Sequence, residues 1–290
     1  MGRLKQLADT TESEVESYLD QMEWNSNPFT RDATVNDYVL PSEGQIADVV
    51  SHVNQYTGPI LIHSQYSGVG KTTLVRVLME ELTNNYQPIY VGEHNVTPFE
   101  LVAIVADKSG VGKSSSTKMT EDKLATSNFD QPLLIAIDEF GLNDPDTLHS
   151  IQFLNDELDA RILLTGMSSQ WNAVESLGSQ GKAFQRRVAF ELKLSEFSFE
   201  KTEELVKRRI TTVTDVGHDE WEDVDYTSFI TEDALEYAHE QSHGIPGVVA
   251  SSLADAVSLV AYQFVNGSIS TVNVEIAEQL NYADPHADTA

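Results

Sequence analysis

Residues 60–82 read ILIHSQYSGVGKTTLVRVLMEEL, and this stretch decides the fold. It opens with a short apolar run typical of a buried strand and closes with apolar residues at helical spacing. When a strand is followed by a glycine-rich turn and a helix, backbone N–H groups and the positive end of the helix dipole point at the same place. This arrangement favours a bound anion. The stretch therefore predicts a phosphate-binding loop in an α/β domain. The residues predicted to line the loop are Gln65, Tyr66, Ser67, Gly68, Val69, Gly70, Lys71, Thr72 and Thr73.

A second copy of the same word competes for this role. The word SGVGK ends in Lys71 and recurs ending in Lys113. The first copy departs once from the pattern G-x-x-x-x-G-K-[ST], since Gln65 stands where the pattern has glycine. The second copy follows a helical pattern instead of a strand, and Asp107, which would repel phosphate, stands at the corresponding position. We predict that the first copy binds phosphate and that the polar stretch 108–128 is a flexible surface loop.

Two carboxylates follow the apolar run LLIAI at residues 133–137. Asp138 and Glu139 end this predicted strand, downstream of the phosphate loop. In that arrangement Asp138, with Thr72, would hold Mg²⁺, and Glu139 would orient and deprotonate the attacking water. An acidic pair alone is common at ordinary loop starts. The preceding phosphate loop is what favours the catalytic interpretation.

Strands and helices alternate along the first two thirds of the chain, which predicts a doubly wound parallel sheet. Further predicted strands lie at 89–91, 161–165 and 188–194. Predicted helix starts are the capping pair Ser42 and Gln45, the capping box Thr97 and Glu100, and Asp144. From Ser198 onward the pattern is only helical. The predicted division is an acidic N-terminal helix or arm (1–23), a nucleotide-binding domain (24–196), a helical domain (197–282) and a disordered tail (283–290).

Acidic residues dominate the composition, since 46 Asp and Glu against 18 Lys and Arg give a formal net charge of −28. Such a surface suits molar salt, where the Debye length is about 3 Å and self-repulsion is screened. We therefore expect a haloarchaeal host, or its plasmid or virus, with an acidic mesophilic protein as the alternative. No Lys or Arg follows Arg209, so the C-terminal third is not expected to bind nucleic acid by ion pairing.

The chain has no cysteine, which excludes disulfides and thiolate zinc sites and fits a reducing compartment. We predict no secretory leader, and no apolar run of the roughly 18 residues that a membrane span needs. We expect a soluble, cytoplasmic protein, or a virion-associated one if its source is a virus.

The segments NPF at 27–29, SGVGKTTL, LLIAIDEFG, ILLTGM and QRRVAFELKLSEFS together resemble an AAA+ ATPase over residues 24–282. Within that superfamily the chain looks most like the branch of the general-secretion pathway ATPase A and the transposition helper ATPases. The archaeal origin-recognition initiators are more distant. The resemblance implies ATP and Mg²⁺ as cofactors, a parallel-sheet core with a small helical lid, and a homo-oligomer that remodels or loads a partner. DNA transactions, secretion and functions of mobile elements or viruses all fit.

The resemblance also implies roles for single residues. Thr165, with Ser168 as second choice, takes the place of the family's first sensor of the γ-phosphate. Arg186 and Arg187 lie where the family places an arginine finger that reaches a neighbouring subunit's nucleotide. The family's second sensor is an arginine after a Gly-Ile-Pro turn, and Gly247 stands there instead. That departure implies lid closure without this contact, or slow hydrolysis.

Three other interpretations remain open. The word HEQSH, from His239 to His243, matches the H-E-x-x-H of zinc proteases, which need both histidines on one helical face. The pattern places His243 in the last turn before Gly244, where an imidazole meets the helix dipole, and no third ligand stands at a recognised spacing. The second alternative is an ATP-dependent switch with little turnover, and the third is a sequence-specific DNA binder.

Overall fold

The computed structural model describes residues 2–30, 37–40, 42–93, 95–140, 145–267 and 270–283. By their contacts the residues form two compact units. The sheet unit comprises Leu40–Gln65 and Gly70–Ser195, and the helical unit comprises Met1–Val39, Tyr66–Val69 and Glu196–Ala290.

Strands and helices follow each other along the chain as the sequence pattern predicts. The strands are β1 (Ile60–Ser64), β2 (Gln87–Val91), β3 (Leu133–Ile137), β4 (Arg161–Met167) and β5 (Phe190–Leu194). The helices of the sheet unit are α2 (Glu43–Gln55), α3 (Lys71–Glu81), α4 (Pro98–Lys108), α5 (Thr117–Ala125), α6 (Pro145–Asp156), α7 (Ser168–Val174) and α8 (Gly178–Gln185). The helices of the helical unit are α1 (Gly2–Gln21), α9 (Phe199–Thr211), α10 (Glu232–Gln241), α11 (Pro246–Val265) and α12 (Val274–Ala277).

The sheet has five parallel strands in the order β2-β3-β4-β1-β5, which confirms the predicted fold class. Every residue of β1 and β3 is buried, because helices pack on a parallel sheet from both sides, and this explains their long apolar runs. The predicted strands are present with small shifts at their ends. β4 continues past Thr165 to Met167, and β5 begins at Phe190 instead of Val188.

The predicted helix starts are confirmed where the structure describes them. The Ser42 side chain accepts a hydrogen bond from the Gln45 backbone N at 3.5 Å. Thr97 and Glu100 form a reciprocal capping box at the start of α4. Each cap satisfies backbone N–H groups that the first turn of a helix leaves without partners. Asp144 lies outside the described residues, and α6 begins at Pro145.

The stretch 108–128 differs from the predicted flexible loop, because it contains α5. Ser116 caps this helix by accepting a hydrogen bond from the Met119 backbone N at 3.3 Å. Thr120 and Leu124 are buried, and Leu124 belongs to the apolar core of the sheet unit. Two buried positions one turn apart fix a short helix here. The prediction was wrong because so narrow a stripe is hard to distinguish from a polar loop.

In the helical unit, the N-terminal residues share one apolar core with the C-terminal helices. The rings of Trp24 and Phe29 lie 5.2 and 5.5 Å from the ring of Phe229. These contacts group Met1–Val39 with the C-terminal helices. The sequence-based division differs at this point, since it assigned residues 24–39 to the nucleotide-binding domain and 1–23 to a separate arm.

Helix α11 has the length and apolar composition of a membrane span. The prediction that no stretch reaches that length therefore missed one helix. Seven of its residues are buried within the helical unit, which is the behaviour of a core helix. Length and composition alone are weak evidence for a span. The buried residues are Val249, Ser252, Leu253, Ala256, Val257, Val260 and Ala261.

Candidate functional site

Lys71 is the first residue of α3 and follows Gly70, which has the left-handed φ of 96°. Its Nζ donates a hydrogen bond to Ser64 Oγ at 2.8 Å and lies 3.7 Å from Met167 Sδ. The ammonium group is therefore held at the carboxyl ends of the adjacent strands β1 and β4. Burial lowers the pKa of Lys71, and the carboxylates of Asp138 and Glu139 oppose that shift. A partly desolvated cation here is ready to receive an anion.

The loop before Lys71 makes a tight turn at two glycines. Gly68 has a φ of 77° and Gly70 a φ of 96°, conformations that side chains rarely adopt. Gly68 O accepts a hydrogen bond from Gly247 N at 2.9 Å. A Cβ atom at Gly247 would lie 2.9 Å from that oxygen and 3.1 Å from Gly68 Cα. At position 247, where the resemblance implies an arginine, backbone thus packs directly on Gly68.

The other predicted loop residues differ in exposure. Gln65 and Ser67 are exposed, Tyr66 is half-buried and Val69 is buried. Thr72 and Thr73, in the first turn of α3, are half-buried. Thr72 is close enough to Asp138 for its hydroxyl to contribute to the lowered pKa of that carboxylate, so the two predicted metal-binding side chains are neighbours.

Asp138 is the first residue after β3, and only 5% of it is exposed. Its Oδ1 accepts hydrogen bonds from the Thr165 hydroxyl and, at 3.0 Å, from the Glu139 backbone N. Its Oδ2 accepts one from the Tyr90 hydroxyl at 2.5 Å. Burial alone would raise the pKa of Asp138, but the bonds from Thr165, Tyr90, Thr72 and Glu139 together lower it. The carboxylate is therefore ionised and fixed in orientation.

Glu139 is exposed and has a left-handed φ of 49°, which is uncommon outside glycine. Two contacts maintain this turn: the Glu139 backbone N donates to Thr165 Oγ1 at 3.1 Å, and the Phe140 backbone N donates to Thr165 O at 2.5 Å. Phe140 is buried and stacks on Phe184 at 5.9 Å, so the turn is anchored in the apolar core. Unusual backbone held by its surroundings is common at functional sites.

The two candidate first sensors lie in different networks. Thr165 is fully buried, and its hydroxyl donates to Asp138. Ser168 Oγ lies 2.9 Å from His63 Nδ1, and His63 Nε2 lies 2.9 Å from Glu191 Oε1. Of the two, only Thr165 contacts the predicted metal-binding carboxylate. The sensor role itself stays a prediction.

Tyr90 and Arg76 belong to the same cluster, and sequence reasoning missed both. Tyr90 is on β2, opposite Ala136 of β3, and the Arg76 guanidinium lies 5.6 Å from the centre of its ring. Burial raises the pKa of Tyr90 to about 12, and the Asp138 carboxylate acts in the same direction. The available signal was a polar-tipped aromatic residue near the carboxyl end of the strand that pairs with β3.

The second SGVGK word has a geometry that does not suit phosphate. The backbone N atoms of Gly110, Gly112 and Lys113 donate to Asp107 O, Ala106 O and Asp107 Oδ1 at 3.2, 2.8 and 3.0 Å. Lys123 Nζ donates to the carbonyls of Val111 and Gly112 at 2.5 and 2.9 Å. These N–H groups are already used within the loop. The segment ends α4 and leads to α5.

Arg186 and Arg187 follow α8, before β5. Arg187 pairs with Asp156, and both side chains are about half exposed, at 48%. Arg186 is exposed, and within the described part of the chain its side chain makes no hydrogen bond or ion pair. Arg186 is therefore the better presented of the two guanidinium groups.

The H-E-x-x-H word does not form the predicted helical face. Helix α10 ends at Gln241, and His243 has a left-handed φ of 52°, so the two histidines are not one turn apart on a helix. His239 Nδ1 lies 2.9 Å from Thr202 Oγ1. Among the described residues, no group of three or more His, Cys, Asp or Glu side chains is arranged to hold a metal ion. The geometry thus offers no support for the zinc-protease interpretation.

One carboxylate and one hydroxyl, Asp138 and Thr72, remain as candidate ligands. This small donor set fits Mg²⁺, which keeps several waters and takes one or two carboxylates together with phosphate oxygens of a substrate. All the ligands are hard oxygen donors, and Asp138 is ionised. The residues present therefore fit the predicted ion.

Comparisons with known proteins give the class of fold. The chain is similar to the Aeropyrum pernix ORC2 protein in its ADPNP–ADP complexes, with a TM-score of 0.62, 13% identity, and coverage of 90% of this chain and 75% of that chain. The ADP form of that protein gives a TM-score of 0.60, 13% identity and coverage of 89% and 72%. Domain III of the Thermotoga maritima replication initiation protein DnaA gives 0.53, 15% identity and coverage of 88% and 96%. No protein-family model matches the chain, and no curated protein is similar to it in sequence.

The parallel sheet, its surrounding helices and the C-terminal helices together form the AAA+ P-loop α/β fold. At this level of identity the likeness shows the fold alone.

Proposed function

We propose that this chain binds ATP with Mg²⁺ and hydrolyses it, using the energy to remodel or load a partner. The observation that supports this most strongly is the convergence of Lys71, Thr72, Asp138, Glu139 and Thr165 at the carboxyl ends of the adjacent strands β1, β4 and β3. Ligands of open α/β sheets bind at this edge. The similarity to a protein solved with ADPNP and ADP agrees with a nucleotide as ligand.

Each residue has a distinct task in this mechanism. Lys71 places a cation on the phosphate oxygens, and the N–H groups of the loop hold the same anion. Thr72 and Asp138 hold the ion, which when bound polarises the phosphoryl oxygens. Glu139 orients the attacking water and takes its proton. Thr165 fixes both carboxyl residues through its hydroxyl group and positions the turn between them.

The partner class that the fold favours is DNA. Two of the similar proteins are the ORC2 protein and the replication initiation protein DnaA, with TM-scores of 0.62 and 0.53. The secretion and transposition branch, suggested by the sequence motifs, stays an alternative. The basic side chains of α9 would not serve DNA, since each is engaged by an acidic residue. The ion pairs there are Lys201–Glu204, Lys207–Glu203, Arg208–Glu204 and the buried Arg209–Asp37.

A switch with little turnover is the second candidate. It is favoured by Gly247, whose backbone packs on Gly68 where the family has a second sensor arginine. Glu139→Gln separates the two functions, because the amide cannot accept the proton of the water. A large loss of turnover in that variant, with ATP binding retained, supports hydrolysis. Wild-type binding without measurable turnover supports the switch.

The arginine finger and the host are both proposed from charged residues. We place the trans-acting finger at Arg186, because Arg187 is already paired with Asp156. A homo-oligomer is then the active form. We also retain the proposal of a haloarchaeal host, plasmid or virus, which rests on the net charge of −28.

The two SGVGK words provide the test. Lys71→Ala should abolish ATP turnover and reduce nucleotide affinity, whereas Lys113→Ala should leave both near wild type. The two variants remove the same ammonium group from the same sequence context. Equal losses from both variants would contradict the assignment of the first copy, and no loss from either would contradict the proposed function.

A further inference from the structure

The Asp138 carboxylate is held from two sides. On Oδ1 it receives the Thr165 hydroxyl of β4 and the Glu139 backbone N–H. On Oδ2 it receives the Tyr90 hydroxyl of β2 at 2.5 Å. The neighbouring strands β4 and β2 therefore flank the carboxylate, which stands at the end of β3 between them. A carboxylate that accepts hydrogen bonds at both oxygens cannot rotate about its Cβ–Cγ bond without breaking one of them.

We propose that Tyr90 is a positioning residue for the magnesium site, holding Asp138 in the orientation that receives the ion. This inference rests on the proposed function and adds to it a residue on β2. Partners of a ligating carboxylate fix its orientation and its basicity, and their loss commonly weakens metal affinity about 10- to 100-fold. Tyr90 meets this description because its hydroxyl donates a hydrogen bond to Asp138, the predicted metal-binding carboxylate.

Three contacts hold the phenol in place. Lys108 Nζ donates to Tyr90 O at 2.6 Å, which fixes the backbone of β2 at this point. The Arg76 guanidinium lies over the ring, and Arg76 is one turn along α3 from Thr72. The ring folds over Gly92, where a Cβ atom would lie 2.6 Å from Tyr90 Cε1. Glycine at 92 thus leaves room for the ring in the position from which its hydroxyl reaches Asp138.

Tyr90→Phe removes the hydroxyl and keeps the ring with its contacts to Arg76 and Gly92. The probe is Mn²⁺, a paramagnetic substitute for Mg²⁺. It is titrated into the 290-residue chain saturated with a non-hydrolysable ATP analogue, and binding is followed by electron paramagnetic resonance. We expect the Kd of Mn²⁺ to rise about 10-fold. In steady-state assays, the Mg²⁺ concentration at half-maximal turnover should rise similarly, while turnover at saturating Mg²⁺ largely recovers.

Tyr86→Phe is the matched control. Tyr86 is buried, and its hydroxyl lies within hydrogen-bond distance of two acceptors, Val53 O at 3.2 Å and Asn54 Oδ1 at 3.1 Å, away from Asp138. Both variants lose a hydrogen-bonded phenol hydroxyl, so a purely structural effect should appear in both. Gly92→Ala is the complementary variant, because its methyl group displaces the ring while the hydroxyl remains. It should weaken Mn²⁺ binding as Tyr90→Phe does.

Asp138→Asn separates failure of this inference from failure of the proposed function. If Asp138→Asn loses Mn²⁺ binding but Tyr90→Phe binds like wild type, the role of Tyr90 is overturned and the metal site stands. Equal weakening by Tyr86→Phe and Tyr90→Phe also overturns it, since the effect would be general. If the wild-type protein with nucleotide binds no Mn²⁺, the proposed function itself fails, and the role of Tyr90 fails with it.

Discussion

His63 lies one position before Ser64, the residue that accepts a hydrogen bond from Lys71. It is 5% exposed, and its two ring nitrogens contact Ser168 and Glu191. Burial lowers the pKa of His63 from its ordinary 6.5; the Glu191 carboxylate opposes this shift, whereas Lys193 and Lys71 add to it. Through its contacts with Ser168 and Glu191, the histidine on β1 links this strand to the start of α7 and to β5, beside the phosphate loop.

The folded protein consequently binds a proton at His63 less readily than the unfolded chain does. Stability is therefore fully present above the ordinary pKa and falls as the pH decreases through about 6.5. We predict a lower urea midpoint at about pH 5.5 than at about pH 7.5, and a smaller difference in His63→Gln. His149→Gln, at an exposed position, is the control. An unchanged pH dependence in His63→Gln would remove His63 as the cause.

The start of α11 contacts the phosphate loop through backbone atoms. Pro246 begins the helix, and the following Gly247 donates its N–H to Gly68 of the phosphate loop. The close approach of two backbones requires glycine at position 247, because even a methyl group would meet the Gly68 oxygen at 2.9 Å. The backbone contact with Gly68 therefore leaves no room for the arginine side chain that the resemblance implies at position 247.

We predict that Gly247→Ala lowers the free energy of unfolding by about 1–3 kcal/mol, as overpacking usually does. Gly247→Arg should not restore a sensor, and its nucleotide affinity should be lower than that of the wild type. The matched control is Gly44→Ala in α2, where the nearest atom to the new Cβ is Ser42 Oγ at 4.0 Å. That change should be neutral or stabilise by up to about 1 kcal/mol. Higher turnover in Gly247→Arg would contradict this explanation.

Assembly is a property of the whole molecule. An arginine finger acting in trans completes an active site between two copies, so turnover per protomer should rise with protein concentration. Arg186→Ala should bind nucleotide normally and lose about 10³-fold in turnover. Arg187→Ala should lose much less, since Arg187 is paired with Asp156.

Mixing Arg186→Ala with Lys71→Ala should restore part of the activity, because a mixed interface combines one intact finger with one intact phosphate loop. Steady-state turnover at several mixing ratios and total concentrations measures this. Absence of rescue, together with turnover independent of concentration, would indicate a monomeric enzyme.

The net charge also acts on the molecule as a whole. At low ionic strength the excess carboxylates repel one another over a longer Debye length, and salt screens them. We predict that the thermal unfolding midpoint rises as KCl increases from about 0.1 to 2 M. A midpoint independent of salt would favour the acidic mesophilic alternative.

The sequence by itself determined the parallel sheet and the candidate phosphate loop. Both depend on local patterns: long apolar runs for strands buried on two faces, and glycine between a strand and a helix. Asp138 and Glu139 were identifiable for the same reason, since they directly follow such a run. Helix α5 was missed because only Thr120 and Leu124 form its buried stripe.

Tertiary structure decided the contacts between residues far apart in sequence. Tyr90 meets Asp138 across 48 positions and Thr165 meets it across 27, because β2 and β4 flank β3 in the sheet. Strand order is set by the crossing helices and by packing, which no local pattern encodes. The same holds for Gly247, where only the fold shows that the backbones touch. Local physics therefore determined which elements form, and long-range packing decided which side chains share the candidate site.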